Sequence, residues 1–490
     1  MNTLRMMEKV IEKLDKSIIQ SFKTKPTKIL QFGEGNFLRG FFDWMVLEMN
    51  QKAGFNAGVK IVQPLPQGLG DQLRAQDGLY HVLLNGFDHD QFTAKRQLVD
   101  VVNGVIDPYG SFGEYLTEAQ NEHLQFIISN TTEAGIAYDP EDRFDYQPAR
   151  SFPGKLLQFL HNRYQTLPDC DPIVILPCEL IDQNGTKLKA IIERYASEWQ
   201  LGEYFLKWLH EKTVFCNTLV DRIVPGYPAQ TAHQIWDELG VKDQLLVEGE
   251  LFHLWVIEGP GWLESKLPVK QAGLNVVFTD DLAYYRTRKV RILNGLHTTM
   301  VPVGLLAGMT TVRETVEHEK LSSFLVQALN QEIMPTLAGD KEELQAYAEE
   351  IIRRFRNPAI HHELLTISLN SFAKFKTRVL PSILAYVDQH KQLPKQLLLA
   401  LAALIRLYRG DAGGKVVELK DDAIVLSKLS TLWRDHHANH THLVNEILRD
   451  QSIWDEDLTE IPELANYVAT QLELIEQEGI YAAVDKLLGE

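Results

Sequence analysis

Cysteine is scarce in this sequence: Cys170, Cys178 and Cys216 are the only three in 490 residues. Their spacing matches neither a zinc-ligand set nor a disulfide framework, which suits a reducing, cytoplasmic setting. Positive charge is also in deficit, since 49 Lys and Arg face 66 Asp and Glu for a formal net charge of -17. Affinity for nucleic acid needs basic stripes that this composition does not supply, so no nucleic-acid partner is expected. Long apolar runs are missing too. The longest, residues 397–405, falls short of the roughly 20 residues that span a bilayer and reads as a buried helix, so no membrane partner is expected. The first 20 residues mix charges into a helical pattern and lack the apolar core of a secretion signal. No internal repeat and no low-complexity segment is visible.

What remains is an ordinary globular composition, 45% hydrophobic and 23% charged, in a chain long enough for two domains. Residues 28–32 form a short apolar strand ending at Gly33. A helical pattern follows over 36–50, then a second strand over 59–62, which together make a βαβ unit. Further strands are expected at 80–84, 124–129, 173–176, 251–257 and 276–279, and residues 91–106 alternate like a hairpin excursion. After about residue 281 strand patterns vanish and amphipathic helices dominate. The fold class is therefore α/β, a Rossmann-type dinucleotide-binding domain over 1–282 followed by a mainly α-helical substrate and catalytic domain over 283–490.

Between the first strand and first helix lies Gly33-Glu34-Gly35-Asn36-Phe37-Leu38-Arg39-Gly40. Two glycines there let the backbone approach a pyrophosphate, and the helix N-terminus offers unpaired N–H groups. The third glycine of the usual fingerprint is replaced by Leu38, and Gln63-Pro64 stand where an acid for the ribose is expected. The segment Ser129-Asn130-Thr131-Thr132-Glu133 follows another strand at its carboxyl end. It suits either a cofactor contact or a helix cap.

The segment Arg288-Lys289-Val290-Arg291-Ile292-Leu293-Asn294-Gly295-Leu296-His297 holds a base, an amide and an imidazole. On a regular helix these three side chains span an arc of roughly 140°. Lys-x4-Asn-Gly-x2-His, preceded by GxGxFxR at Gly33, Gly35, Phe37 and Arg39, resembles the polyol-specific long-chain dehydrogenases, the group that contains the mannitol dehydrogenases. The likeness runs through residues 77–80, Thr132-Glu133, Asn217 with residues 220–223, and Arg354-Phe355 with Asn357-Pro358. The forms QFGEGNFLRG, SNTTEAGI, PCELID, TLVDRIV, KVRILNGLHT and RFRNPAI look most like a sugar-acid branch of that family.

The resemblance implies metal-independent hydride transfer with NAD; Gln63 does not itself exclude the 2′-phosphate of NADP, so the choice of NAD rests on the resemblance. It makes Lys289 the general acid/base, with Asn294 and His297 on the reacting oxygen. Gly33, Gly35, Asn36, Phe37, Arg39, Thr132 and Glu133 become the cofactor contacts. A lysine at its ordinary pKa of about 10.4 is a poor base, so burial or the neighbours Arg286, Arg288 and Arg291 are expected to lower it. A sugar-acid substrate needs cations for its carboxylate, and Asp221, Arg222, Lys374 and Arg378 are the candidate substrate ligands. The family's Cys-Asp-Asn is Cys178-Glu179-Leu180 here, and the nearby Asn184 reads as a turn residue. His436 and His440 suit one helical face but lack an HExxH-type carboxylate, and no metal is expected. The chain is expected to act as a monomer or homodimer on a small-molecule substrate.

Overall fold

The computed structural model describes residues 12–19, 22–88, 91–132 and 134–489. The chain divides into two compact units, Met1–Leu282 and Ala283–Glu490.

The first unit is built on six parallel strands in the order Val102–Ile106, Gly58–Val62, Thr27–Phe32, Phe126–Ser129, Ile173–Pro177, Thr213–Phe215. Numbered along the chain this order is 3-2-1-4-5-6, the doubly wound arrangement. Successive residues of each strand feed opposite cores, as the two-residue strand period requires. Ile29, Val59, Ile61 and Ile128 pack with the helix that follows Gly35. Leu30, Val62, Ile127 and Ile175 pack with helices Phe152–Thr166 and Asn184–Glu198 on the other face. With both faces covered, the strands are rich in apolar residues, and every residue of Ile173–Pro177 is buried.

The strand order reverses between Thr27–Phe32 and Phe126–Ser129. Both connections leave the carboxyl ends there in opposite directions, which opens a crevice at that edge.

Two expectations need correction. Residues 91–106 are not one hairpin: Gln91–Val99 pairs back onto Tyr80–Asp88, while Val102–Ile106 leaves to become the edge of the parallel sheet. Apolar residues at 102, 105 and 106 are buried on that sheet, whereas Gln91–Val99 is largely exposed, and this difference separates them. The strand expected at 251–257 is Leu254–Glu258. Leu251 and Phe252 turn aside, and their carbonyls accept from the Arg222 guanidinium.

The second unit is helical apart from the two-residue strands Asp411–Ala412 and Lys415–Val416. At its centre lies Lys395–Leu407, in which every residue after Lys395 is buried. Each Leu or Ile of this helix contributes roughly 1.5–3 kcal/mol relative to an exposed position. Its N-terminal amides at Gln396 and Leu397 donate to the Glu332 carboxylate at 3.0 and 2.9 Å, and burial pushes that carboxyl up to about 7. Among the described residues no helix is long and apolar enough to cross a membrane.

His436 ends helix Ala423–His436 and His440 begins helix His440–Arg449, so the two histidines do not share a helical face. His436 instead meets the His442 ring edge-on at 4.3 Å.

Candidate active site

The glycine turn lies at the crevice of the parallel sheet. Gly33 has φ +116° and a Cβ added there would lie 2.9 Å from the Asn130 carbonyl, so the turn accepts only glycine. Gly35 caps a helix that runs from Asn36 through a wide π turn at Arg39–Asp43 into Trp44–Ala53. No side chain caps this end, and the space before Gly35 is open. Its amides and the helix dipole therefore face a cleft of about 360 Å³ that Gly33, Glu34, Pro64, Asn130 and Thr132 help to line. A pyrophosphate fits this cradle on charge and on space.

The opposite wall is held by Glu179, which the sequence did not single out. Its buried carboxylate accepts from the Ser129 hydroxyl at 3.0 Å and from the Thr131 amide and hydroxyl at 2.9 and 3.0 Å. Burial raises its pKa. The Asn130 amide donates to the Cys178 carbonyl at 2.7 Å. Thr132 then sits at φ +73°, a left-handed conformation that costs a β-branched residue about 1–3 kcal/mol and marks sites where the surroundings dictate the backbone. Glu133 lies outside the described residues.

Three expected cofactor contacts have other work. Arg39 is 2% exposed, and its guanidinium donates to the Glu34 carbonyl at 3.0 Å, the Leu245 carbonyl at 2.5 Å and Asn36 Oδ1 at 2.7 Å. Asn36 is thereby tied to Arg39, with its amide packed on Gly226. Phe37 stacks on Phe41 at 4.9 Å. These residues shape the turn from behind, and Gly33–Gly35 border the cleft. Arg222 is similarly engaged. It is buried, donates to the carbonyls of Gly40, Leu251 and Phe252 at 2.6–3.2 Å, and lies over the Trp44 ring at 4.1 Å. Burial holds it down at about 9. It is an internal brace with no free edge for a substrate carboxylate, and Asp221 is buried beside it at the end of Asn217–Asp221.

In the second unit Lys289 is the last residue of helix Leu282–Lys289 and is half-buried. The chain then makes a π turn, Val290–Asn294, before helix Gly295–Leu306, with the Gly295 amide reaching back to the Val290 carbonyl. In such a turn residues five apart stand nearly above one another. Lys289 and Asn294 are five apart, so the π turn narrows the wide arc that a regular helix gives them, and His297 follows three residues on along the same face. The Thr298 and Thr299 hydroxyls donate to the Asn294 and Gly295 carbonyls, each at 2.9 Å, which satisfies backbone groups around the irregular turn.

His297 is 6% exposed and stacks on Phe355 at 4.3 Å with the His362 ring edge-on at 5.0 Å. Phe355 ends helix Lys341–Phe355. The RFRNPAI segment therefore serves the imidazole through packing, and burial keeps His362 below its ordinary pKa.

Of the three arginines expected beside Lys289, Arg288 pairs with Glu343 and lies over the Tyr347 ring at 4.4 Å. Arg291 donates to the Ser382 and Thr336 hydroxyls at 2.6 and 3.0 Å. Arg286, three residues before Lys289, is the one on its helical face.

Helix Ser371–Arg378 packs against the same place, since a Cβ on Gly295 would lie 3.2 Å from the Arg378 carbonyl. Lys374 and Arg378 are one turn apart on it. The Lys374 ammonium donates to the Ile367 carbonyl at 2.8 Å, and burial, then Arg378, lowers its pKa. Arg378 is half-buried, burial lowers its pKa, and no carboxylate among the described residues pairs with it. Leu180 is 60% exposed just beyond strand Ile173–Pro177. Asn184 is not a turn residue: it opens helix Asn184–Glu198, is buried, and donates to the carbonyls of Pro177, Glu179 and Thr218 at 2.9–3.1 Å.

Comparison with known proteins covers the whole length. Residues 27–271 match the mannitol dehydrogenase Rossmann domain, and residues 281–476 match the mannitol dehydrogenase C-terminal domain. The altronate oxidoreductase of Bacillus subtilis is 42% identical over 97% of this chain and 98% of its own. That of Yersinia enterocolitica is 43% identical over 94% and 97%. Among solved structures, a D-sorbitol dehydrogenase in substrate-free form has TM-score 0.77 at 21% identity, covering 94% of this chain and 95% of its own. Pseudomonas fluorescens mannitol 2-dehydrogenase, in ternary complex with NAD and D-mannitol, has TM-score 0.68 at 20% identity over 96% and 95%.

Proposed function

The chain belongs to the mannitol dehydrogenase family, and from that premise we propose that it interconverts D-altronate and D-tagaturonate by reversible hydride transfer with NAD. As a member it is an oxidoreductase acting on a CH–OH group of a polyol or sugar acid. The finer assignment draws on the names of its relatives and on one feature of the site. Arg378 is a half-buried guanidinium without a carboxylate partner among the described residues, one turn from Lys374, on the helix that packs against Gly295. A substrate carboxylate is the complement such a pair calls for.

NAD, when bound, supplies the hydride acceptor, or the donor in its reduced form. The Gly33–Gly35 backbone, the helix N-terminus behind it and Thr132 would hold it in the first unit. In the second unit Lys289 Nζ takes the proton of the substrate hydroxyl on oxidation and returns it on reduction. Asn294 and His297 hydrogen-bond the same oxygen and stabilise the negative charge that builds on it. The Phe355 ring fixes the plane of the imidazole. Lys289, Asn294 and His297 carry the contacts to the reacting oxygen.

NADH consumption with tagaturonate, fructuronate and fructose 6-phosphate side by side tests the assignment. Preference for tagaturonate is expected. Preference for either alternative keeps the reaction and overturns the substrate. Binding without turnover of any of them overturns catalysis and leaves a sugar-acid sensor.

A further inference from the structure

We infer that the Glu34 carboxylate selects an unphosphorylated adenosine ribose, acting from the first glycine turn where other NAD-binding sheets use an acid at the end of the second strand. This rests on the reading of the cleft as a dinucleotide site.

In a doubly wound sheet the acid that accepts from the ribose 2′-hydroxyl follows the second strand. Here that strand is Gly58–Val62 and the next residue is Gln63. Its amide is turned into the fold: Nε2 donates to the Leu65 carbonyl at 2.9 Å and Oε1 accepts from the Gly70 amide at 3.2 Å. Gln63 is 5% exposed and organises the 65–70 loop.

Glu34 reaches the same place from the neighbouring strand. The Gly33 amide donates to the Val62 carbonyl at 3.1 Å, which sets the glycine turn against the end of the second strand. From there Glu34 Oε1 accepts from the Leu69 amide at 3.3 Å. A Cβ on Gly68 would lie 1.9 Å from that oxygen, so a side chain there would displace the carboxylate from its present position. Glu34 lines the cleft together with Pro64 and Leu65.

Burial raises the Glu34 pKa, so a hydroxyl that donates to the carboxylate stabilises it. A phosphate in the same position meets like charge across a partly dry wall. The basic side chains around the cleft are engaged elsewhere. Arg39 donates to Glu34 O, Leu245 O and Asn36. Arg74 pairs with Asp71 at 2.7 Å and donates to Val105 O at 3.2 Å. Arg150 pairs with Glu141 at 3.3 Å. Among the described residues each of these three arginines already has a partner, although those of Arg74 and Arg150 are exposed.

The test is equilibrium binding, by calorimetry, of two nucleotides that differ only in that group: 5′-AMP and adenosine 2′,5′-bisphosphate. The unaltered protein is expected to prefer 5′-AMP by about tenfold or more, and Glu34→Gln to bring the two within about threefold of each other. Equal affinity in the unaltered protein, or unchanged discrimination in Glu34→Gln, overturns the inference. Should Glu34→Gln unfold, Glu34→Ser removes the same charge with less bulk and carries the same expectation. If neither nucleotide nor NADH binds the unaltered protein, the dinucleotide reading itself falls, which is a different outcome from NADH binding without 2′-discrimination.

Discussion

The helix that opens at Gly35 and the helix that carries Lys289 are each interrupted by a π turn of five residues, yet the two turns do opposite things. At Arg39–Asp43 every residue is buried. Arg39 braces three segments, Gly40 is pressed so close to Val247 that a Cβ would lie 2.8 Å from its side chain, and Asp43 accepts from the Tyr80 hydroxyl at 2.7 Å. At Val290–Asn294 only Ile292 and Leu293 are buried, while Asn294 and the preceding Lys289 stay half-exposed. The same backbone irregularity is wholly buried in one unit and, in the other, partly exposed next to the lysine proposed as acid/base. What separates the two turns is burial: Lys289 and Asn294 stay half-exposed, whereas every residue of Arg39–Asp43 is buried.

That contrast sets an order of expected effects. Asn294→Ala should lower kcat about 10²–10³-fold, the loss typical of one donor on a developing oxyanion, with the melting temperature unchanged. A matching fall in melting temperature would make the second turn a packing device like the first. Arg378→Met should reduce kcat/KM for tagaturonate about 10–100-fold, mainly through KM, because one charge-assisted contact to the carboxylate is lost. An equal loss on a neutral polyol would show that Arg378 holds the fold and not the substrate.

The smallest effect belongs to the first turn and appears in stability alone. Burial pushes Asp43 from 3.8 to about 6. Between those values the folded state keeps a proton that the unfolded state releases, so stability falls as pH rises through the window and the cost is complete above about 6. Asp43→Asn cannot titrate. Thermal unfolding across this window should show the variant gaining on the parent as pH rises and then levelling. A parallel pH dependence in both proteins would remove Asp43 as the cause.

Four of the six strands of the parallel sheet were legible because apolar residues on both faces, bounded by glycine and polar turns, have few other uses; the short edge strands Val102–Ile106 and Thr213–Phe215 were not. Lys289, Asn294 and His297 were visible as a spaced motif, although not the π turn Val290–Asn294 that lies among them. A π turn adds one residue to a turn without changing composition, so the regular-helix arc was the only geometry the sequence offered. The internal hydrogen bonds of Arg39 and Arg222 were not visible in the sequence, for a physical reason. A guanidinium beside a site and a guanidinium bracing three carbonyls look alike in sequence, and only the acceptors around each separate them. Glu34 and Glu179 lay inside quoted segments, but their roles depend on loops that close from the far side of the sheet's carboxyl edge. Phe355 was visible in its motif, whereas its stacking on His297 joins residues far apart in the chain.

The central claim is that the second π turn presents a proton-transferring lysine, and Lys289→Ala tests it most directly. Tagaturonate binding by calorimetry and NADH-dependent turnover are to be measured on the same preparation. The account predicts that binding is kept while kcat falls about 10³-fold or more. Turnover within about tenfold of the parent would contradict it and move the proton to another group.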